Sequence, residues 1–129
     1  MRGDLIVGCV FCGLEHSGRV EMSFEHFIVI RDVYPVSLGH TLIIPKRHVA
    51  TYFDLRFEER ENLLSVIDAV KLELDVDFRP DGYNIGFNVG EVAGQTVMHC
   101  HVHVIPRYVG DMEDPRGGVR GVIPGKQKY

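Results

Sequence analysis

The sequence predicts an α+β fold, a mostly antiparallel sheet with at least one helix packed on it. Strand-like segments outnumber helical ones, they do not repeat as βαβ units, and a single stretch carries strong helical periodicity. Phe24–Arg31, rich in Phe, Ile and Val, reads as a strand. Asp32–His40 contains Pro35 and Gly39 and reads as a loop. Thr41–Ile44 is a short apolar strand ended by Pro45. Phe57–Asp75 is the helix: Leu63, Ile67, Val70 and Leu74 are spaced by 4, 3 and 4, which places them on one face. Glu58, Glu59 and Glu61 near its start suit the positive end of the helix dipole. Pro80-Asp81-Gly82 predicts a turn. Tyr83–Asn88 alternates strictly, with Tyr83, Ile85 and Phe87 on one side, as in a half-buried strand. After a glycine-containing loop, Val97–Ile105 reads as the last strand, stopped by Pro106. Residues 111–129 read as loop.

The chain has 129 residues, one domain's worth, with a tail from about residue 107. Charged residues make up 25% and the net charge is −4. An acidic balance argues against a general nucleic-acid binder, which needs cations to displace counterions from phosphates. Pro106–Tyr129 holds five Lys/Arg against three Asp/Glu, a basic tail on an acidic body. Arg107, Arg116, Arg120 and Lys126 are placed to reach an anionic leaving group or a partner subunit, with a solvated tail as the alternative. No apolar run approaches the ~18–20 residues of a membrane span. Met1–Gly8 is too short and interrupted for a signal peptide. Three cysteines form no even disulfide framework, which points to a reducing cytoplasm and to metal or thiol chemistry.

The chemistry concentrates in His99-Cys100-His101-Val102-His103. In an extended segment His99, His101 and His103 share one face, and Cys100, Val102 and Val104 share the other, with Cys100 a core thiol. Three adjacent imidazoles repel when protonated, so some stay neutral, and a neutral imidazole is a nucleophile and a metal ligand. A polar edge strand and a three-histidine metal site are the competing readings; in the second, same-face residues on a flat strand splay too far for one tetrahedral ion. Cys9-Val10-Phe11-Cys12 is half a zinc site by itself. A redox dithiol, a pair of metal-free thiols, and a site using His16 stay open at this point.

The stretch His99–Ile105 resembles the signature of the histidine triad (HIT) superfamily. Two flanking runs are similar too: Asn88-Val89-Gly90…Gly94-Gln95-Thr96-Val97, and His40-Thr41-Leu42-Ile43-Ile44-Pro45-Lys46-Arg47-His48. The likeness covers about Cys9 to Arg107, and the knuckle gives it the look of the bacterial-type zinc-bearing members and of dinucleoside polyphosphate hydrolases. The resemblance implies a HIT-like fold whose homodimer forms one continuous sheet. It implies a nucleotide or dinucleotide substrate, cleaved at the α-phosphate by attack of His101 to give a nucleotidyl-histidine, with water or phosphate as acceptor. Dinucleoside polyphosphates and nucleoside phosphoramidates are the substrate classes.

It also implies roles. His99, His103 and His40 join His101 in the active site. Asp32 accepts from the ribose hydroxyls, although a loop-initiating Asp is the alternative. Asn88, Gln95 and Thr96 donate to phosphate oxygens, although a solvated loop side chain suits Gln95 and an ordinary strand residue suits Thr96. Cys9, Cys12, His48 and His99 hold a structural zinc; if His99 binds metal it is no free proton relay. No organic cofactor is implied. Leu38 and Arg56 depart from the pattern: the first removes a proline before Gly39-His40, the second a capping Ser/Thr, leaving Asp54 as an alternative cap. A nucleotide-binding regulatory protein with little catalysis is the competing class.

Overall fold

The computed structural model describes residues 8–129. The leader reading of Met1–Gly8 therefore lies almost wholly outside the described residues. Five strands form one antiparallel sheet: β1 (Val20–Ser23), β2 (Phe27–Arg31), β3 (Thr41–Pro45), β4 (Gly82–Gly86) and β5 (Val102–Arg107). Their order is β1-β2-β3-β5-β4, so β1 and β4 are the two edges. One helix, α1 (Phe57–Phe78), crosses one face. None of the described helices is long and apolar enough to cross a membrane.

The expected strand over 24–31 is two elements. Phe24 N–H donates to the Phe27 carbonyl at 2.8 Å, closing a tight turn at Glu25-His26 that α1 holds through Asn62, whose Oδ1 accepts from His26 N–H. β1 precedes this turn and has a half-exposed, alternating pattern too short to stand out in the sequence. α1 runs three residues beyond its expected end and stops at Arg79, which takes a left-handed φ of 50° before Pro80. At its start Asp54, the alternative cap, does not serve. Asp54 caps a separate 3₁₀ turn with Thr51, and the Glu59 carboxylate accepts from Arg56 N–H at 2.7 Å.

The helical stripe packs as its spacing requires. Leu63, Val66, Val70 and Leu74 are buried against Phe27, Val29, Ile43, Val102 and Val104, with Cys100 in the same cluster. Burial, with the charges of Asp54 and Glu59, pushes the Cys100 thiol up to about 12, so it is inert. Ile67 sits at the stripe's margin. The opposite face of β2 and β3 carries Ile28, Ile30, Leu42 and Ile44, covered by Phe11, Leu14 and Val20.

Three expectations for the later strands need correction. The ladder of β5 begins at Val102, not Val97. Residues 99–101 keep the alternation of faces but bond elsewhere: Cys100 N–H donates to the Val49 carbonyl at 2.7 Å. Nor does Pro106 stop the strand. Its carbonyl accepts from the Ser37 hydroxyl at 2.6 Å, so the side of the residue that lacks an N–H faces the 32–40 loop rather than β4. The strand expected over Tyr83–Asn88 is β4, Gly82–Gly86, and ends before Phe87; of its expected inner face only Tyr83 packs on the core, while Ile85 and Phe87 are 40% and 37% exposed.

The tail is not featureless. It forms 3₁₀ turns at Gly118–Val122 and Pro124–Lys126 and folds back so that Gly118 lies beside Asn84 of β4.

Candidate active site and metal centre

The segment 99–103 serves two clusters, one on each side of His101. On the first side, Cys9 Sγ lies 3.4 Å from His99 Nδ1, and Cys12 Sγ lies 3.3 Å from His48 Nδ1 and 3.6 Å from His99 Nδ1. The two Nδ1 atoms are 3.1 Å apart. All four donor atoms lie within 4.8 Å of one another. A tetrahedral zinc with ordinary bond lengths would separate its nitrogens by ~3.3 Å and nitrogen from sulfur by ~3.6 Å. The donor set and its spacing therefore fit zinc. His99 is fully buried, and its Nε2 lies 2.9 Å from the Pro45 carbonyl. A carbonyl only accepts, so Nε2 carries the hydrogen and Nδ1 presents its lone pair to the cluster. His16, the alternative ligand, is exposed at the end of a 3₁₀ turn and is not in the cluster.

On the second side lies a cavity of 640 Å³. His101, His103, Asp32, Asn88 and Thr96 line it. Its apolar wall includes Val10, Phe11, Val33, Leu42 and Val97, and Arg19 reaches its margin. His101 Nδ1 lies 2.8 Å from the His99 carbonyl and must donate to it, which leaves Nε2 as the lone-pair nitrogen.

His40 stands behind His103, buried and off this cavity. Val36 N–H donates to His40 Nδ1 at 3.0 Å, so the His40 hydrogen is on Nε2. That nitrogen lies 2.9 Å from His103 Nδ1 and 3.4 Å from Asp32 Oδ2. His103 Nδ1 thus accepts, and its Nε2 carries an N–H. A relay of neutral rings runs from the Val36 amide to His103. Burial lowers the pKa of His40, against the pull of Asp32. Burial, reinforced by His101 and His40, pushes His103 down to about 4. Both rings are neutral donors near pH 7.

The remaining expected residues divide. Asp32 accepts from Tyr34 N–H at 2.9 Å through Oδ1, a loop-initiating contact, while its carboxylate also lines the cavity. Asn88 and Thr96 are exposed on the cavity wall. Gln95 is turned away: it is buried, its Nε2 donates to the Ala50 and Val97 carbonyls, and its Oε1 accepts from Gly90 N–H. Its amide braces the loop that carries Thr96 instead of reaching a ligand.

Of the basic tail, Arg107 is held by Asp111 and Asn84, Arg116 pairs with Asp114, and Arg120 lies over the Tyr129 ring.

One residue that the sequence marks only as a helix-dipole partner supports the metal side. Glu59 is buried on α1, and Arg47 clasps both its oxygens at 2.7 and 3.2 Å. Burial alone would raise its pKa, but the bonds from Arg47 and the Arg56 amide bring it below the usual carboxylate range. This pair fixes the turn that carries His48. A glutamate in the first helical turn reads as a dipole partner, so nothing in the sequence signals it.

The chain is 40% identical over 110 residues to an uncharacterized HIT-like protein of Methanocaldococcus jannaschii, covering 81% of this chain and 83% of that one. It is 37% identical over 99 residues to an AP-4-A phosphorylase of Mycobacterium tuberculosis, covering 75% of this chain and half of that one. The crystal structure of a zinc-bound histidine triad family protein from Mycobacterium smegmatis superposes with a TM-score of 0.73 at 34% identity, covering 83% of this chain and 80% of that one. The HIT domain matches residues 14–110, which takes in all three histidines of the row and leaves Cys9 and Cys12 outside it. Sheet order, histidine row and these similarities agree, and the chain belongs to the HIT domain family.

Proposed function

We propose that this protein is a nucleotide hydrolase or transferase that cleaves at the α-phosphate of nucleotide conjugates through a covalent nucleotidyl-His101. Membership in the HIT domain family and similarity to an AP-4-A phosphorylase support nucleotide processing. The single observation that carries the finer reading is the His101 tautomer. A backbone carbonyl holds its Nδ1–H, so Nε2 is the nitrogen left for nucleophilic attack, and the ring lines a cavity large enough for a nucleotide.

In this reading Nε2 attacks the α-phosphorus, a P–N bond forms, and the bond to the leaving group breaks with its electron pair. Water or phosphate then adds at phosphorus and the P–N pair returns to Nε2. The N–H of His103 donates to a phosphate oxygen whose charge grows in the transition state. His40 keeps that ring in the donating tautomer. Thr96 and Asn88 add donors, and Asp32 accepts from the ribose. His99 contributes its carbonyl rather than its ring to His101. Cys9, Cys12, His48 and His99 hold a structural zinc that ties the N-terminal loop to the sheet.

A homodimer through β4 extends the same reading. β4 is one of the two edge strands, and Leu64, Leu72 and Val76 are exposed apolar residues of α1. A sedimenting mass of two chains is the expected result, and a single-chain mass contradicts it.

The functional test incubates the chain with an adenosine phosphoramidate and with a diadenosine polyphosphate, with and without phosphate. Turnover is expected, and His101→Ala should lower it by more than about a thousandfold. Full turnover by that variant refutes the mechanism. Tight nucleotide binding without turnover favours the regulatory class.

A further inference from the structure

The two clusters described above share more than a segment. The residues between the two cysteine donors are Val10 and Phe11, and both line the nucleotide cavity. Phe11 presents its ring edge-on to both sites: its centroid is 5.9 Å from that of His99 and 5.0 Å from that of His101. It also covers the Ile28, Ile30, Leu42 and Ile44 cluster. His99 forms a second link, since its ring belongs to the metal cluster while its carbonyl sets the tautomer of His101.

Besides the metal donors, the packing of Phe11 on that apolar cluster holds this loop. Residues 8–13 form no strand, and β1 begins only at Val20. Within the loop, the described backbone bonds are the long contacts from Leu14 N–H to the Phe11 carbonyl at 3.4 Å and from His16 N–H to the Gly13 carbonyl at 3.5 Å. A bound metal clamps both ends of the Val10-Phe11 dipeptide to the sheet through His48 and His99. Without the clamp, ordering the wall costs conformational entropy that a nucleotide must offset when it binds.

We infer that the Cys9–Cys12 loop couples metal occupancy to nucleotide binding, with Phe11 as the positioning residue that joins the two sites. The inference rests on the nucleotide reading proposed above and adds a linkage to it. Zinc is then more than a fold staple, because it sets the affinity of the pocket whose wall it holds. Thermodynamics makes the effect reciprocal, so a bound nucleotide must tighten zinc by the same factor.

The test uses the full chain, with AMP as the probe. AMP affinity is measured by calorimetry on zinc-loaded and zinc-free protein, and zinc affinity by chelator competition with and without saturating AMP. AMP should bind the loaded form about tenfold more tightly, and saturating AMP should tighten zinc by the same factor. In the zinc-loaded chain Phe11→Ala should weaken AMP about tenfold and bring the coupling below about twofold. It should leave zinc stoichiometry and AMP-free zinc affinity unchanged, and Phe11→Leu should restore most of the AMP affinity. Equal AMP affinity with and without zinc, or zinc affinity indifferent to AMP, overturns the coupling and leaves the proposed activity standing. AMP binding to neither form overturns the nucleotide reading and the coupling with it. If zinc removal unfolds the chain, zinc-loaded Phe11→Ala decides: unchanged AMP affinity with one zinc retained refutes the role of Phe11.

Discussion

His99 and His101 are two residues apart on one extended face, yet they present opposite ring nitrogens. His99 gives its Nε2–H to the Pro45 carbonyl and turns Nδ1 toward two cysteines and His48. His101 gives its Nδ1–H to the His99 carbonyl and keeps Nε2 for the cavity. Identical side chains are thus separated by backbone acceptors rather than by sequence. One end is buried and suits a closed metal site; the other opens on a cavity and suits reaction with an anion.

The largest effect that can break this comparison comes from its metal end. Cys12→Ser should take the zinc content from about one per chain to none and lower stability by on the order of 5 kcal/mol, because a structural metal's binding energy is folding energy. Metal analysis and denaturant unfolding measure both. A chain that never held zinc, or a variant as stable as its parent, removes the metal half of the account.

A smaller effect sharpens the same end. Arg47→Ala leaves the Glu59 carboxylate buried, with only the Arg56 amide donating to it. A loss of ~3 kcal/mol in unfolding free energy is expected, much of it recovered by adding Glu59→Met. A loss below about 1 kcal/mol would show that the pair is worth no more than an exposed one.

The smallest effect belongs to the reaction end and appears with pH. His103 has a folded pKa of about 4 against an unfolded value of 6.5. Between those values the unfolded chain binds the extra proton and the folded chain does not. Stability is therefore whole above the upper value and falls as pH drops toward the lower one. Burial of His40 acts with the same sign. His103→Asn should lose less stability than the parent between about pH 7 and about pH 5. Both chains keep Cys9, Cys12, His48 and His99, so the difference between them isolates the ring. Equal losses would mean that His103 is not held neutral.

The sequence made much of this legible, and the exceptions have physical causes. The helix, the Thr41 strand and the opposed faces of residues 99–104 follow from periodicity, which depends only on local geometry. The four donors around Cys9 came from the family likeness, and periodicity could not have placed them. β1 was hidden because it is short and half-exposed, so burial leaves little pattern on it. The start of β5 was misjudged because alternation persists where ladder bonds do not: Cys100 spends its N–H on Val49. Gln95 was expected on phosphate, but its buried amide is committed to three backbone groups that no local sequence rule predicts. Glu59 was missed for a similar reason, since its partner Arg47 lies twelve residues away across a turn.

The most direct measurement quenches a reaction between the chain and an adenosine phosphoramidate with acid-free denaturant and maps the protein by mass spectrometry. One nucleotidyl group is expected on His101, and none on His99, His103 or the His101→Ala chain. A nucleotidyl group on another residue, or turnover with no adduct at His101 at any time point, contradicts nucleophilic attack by His101.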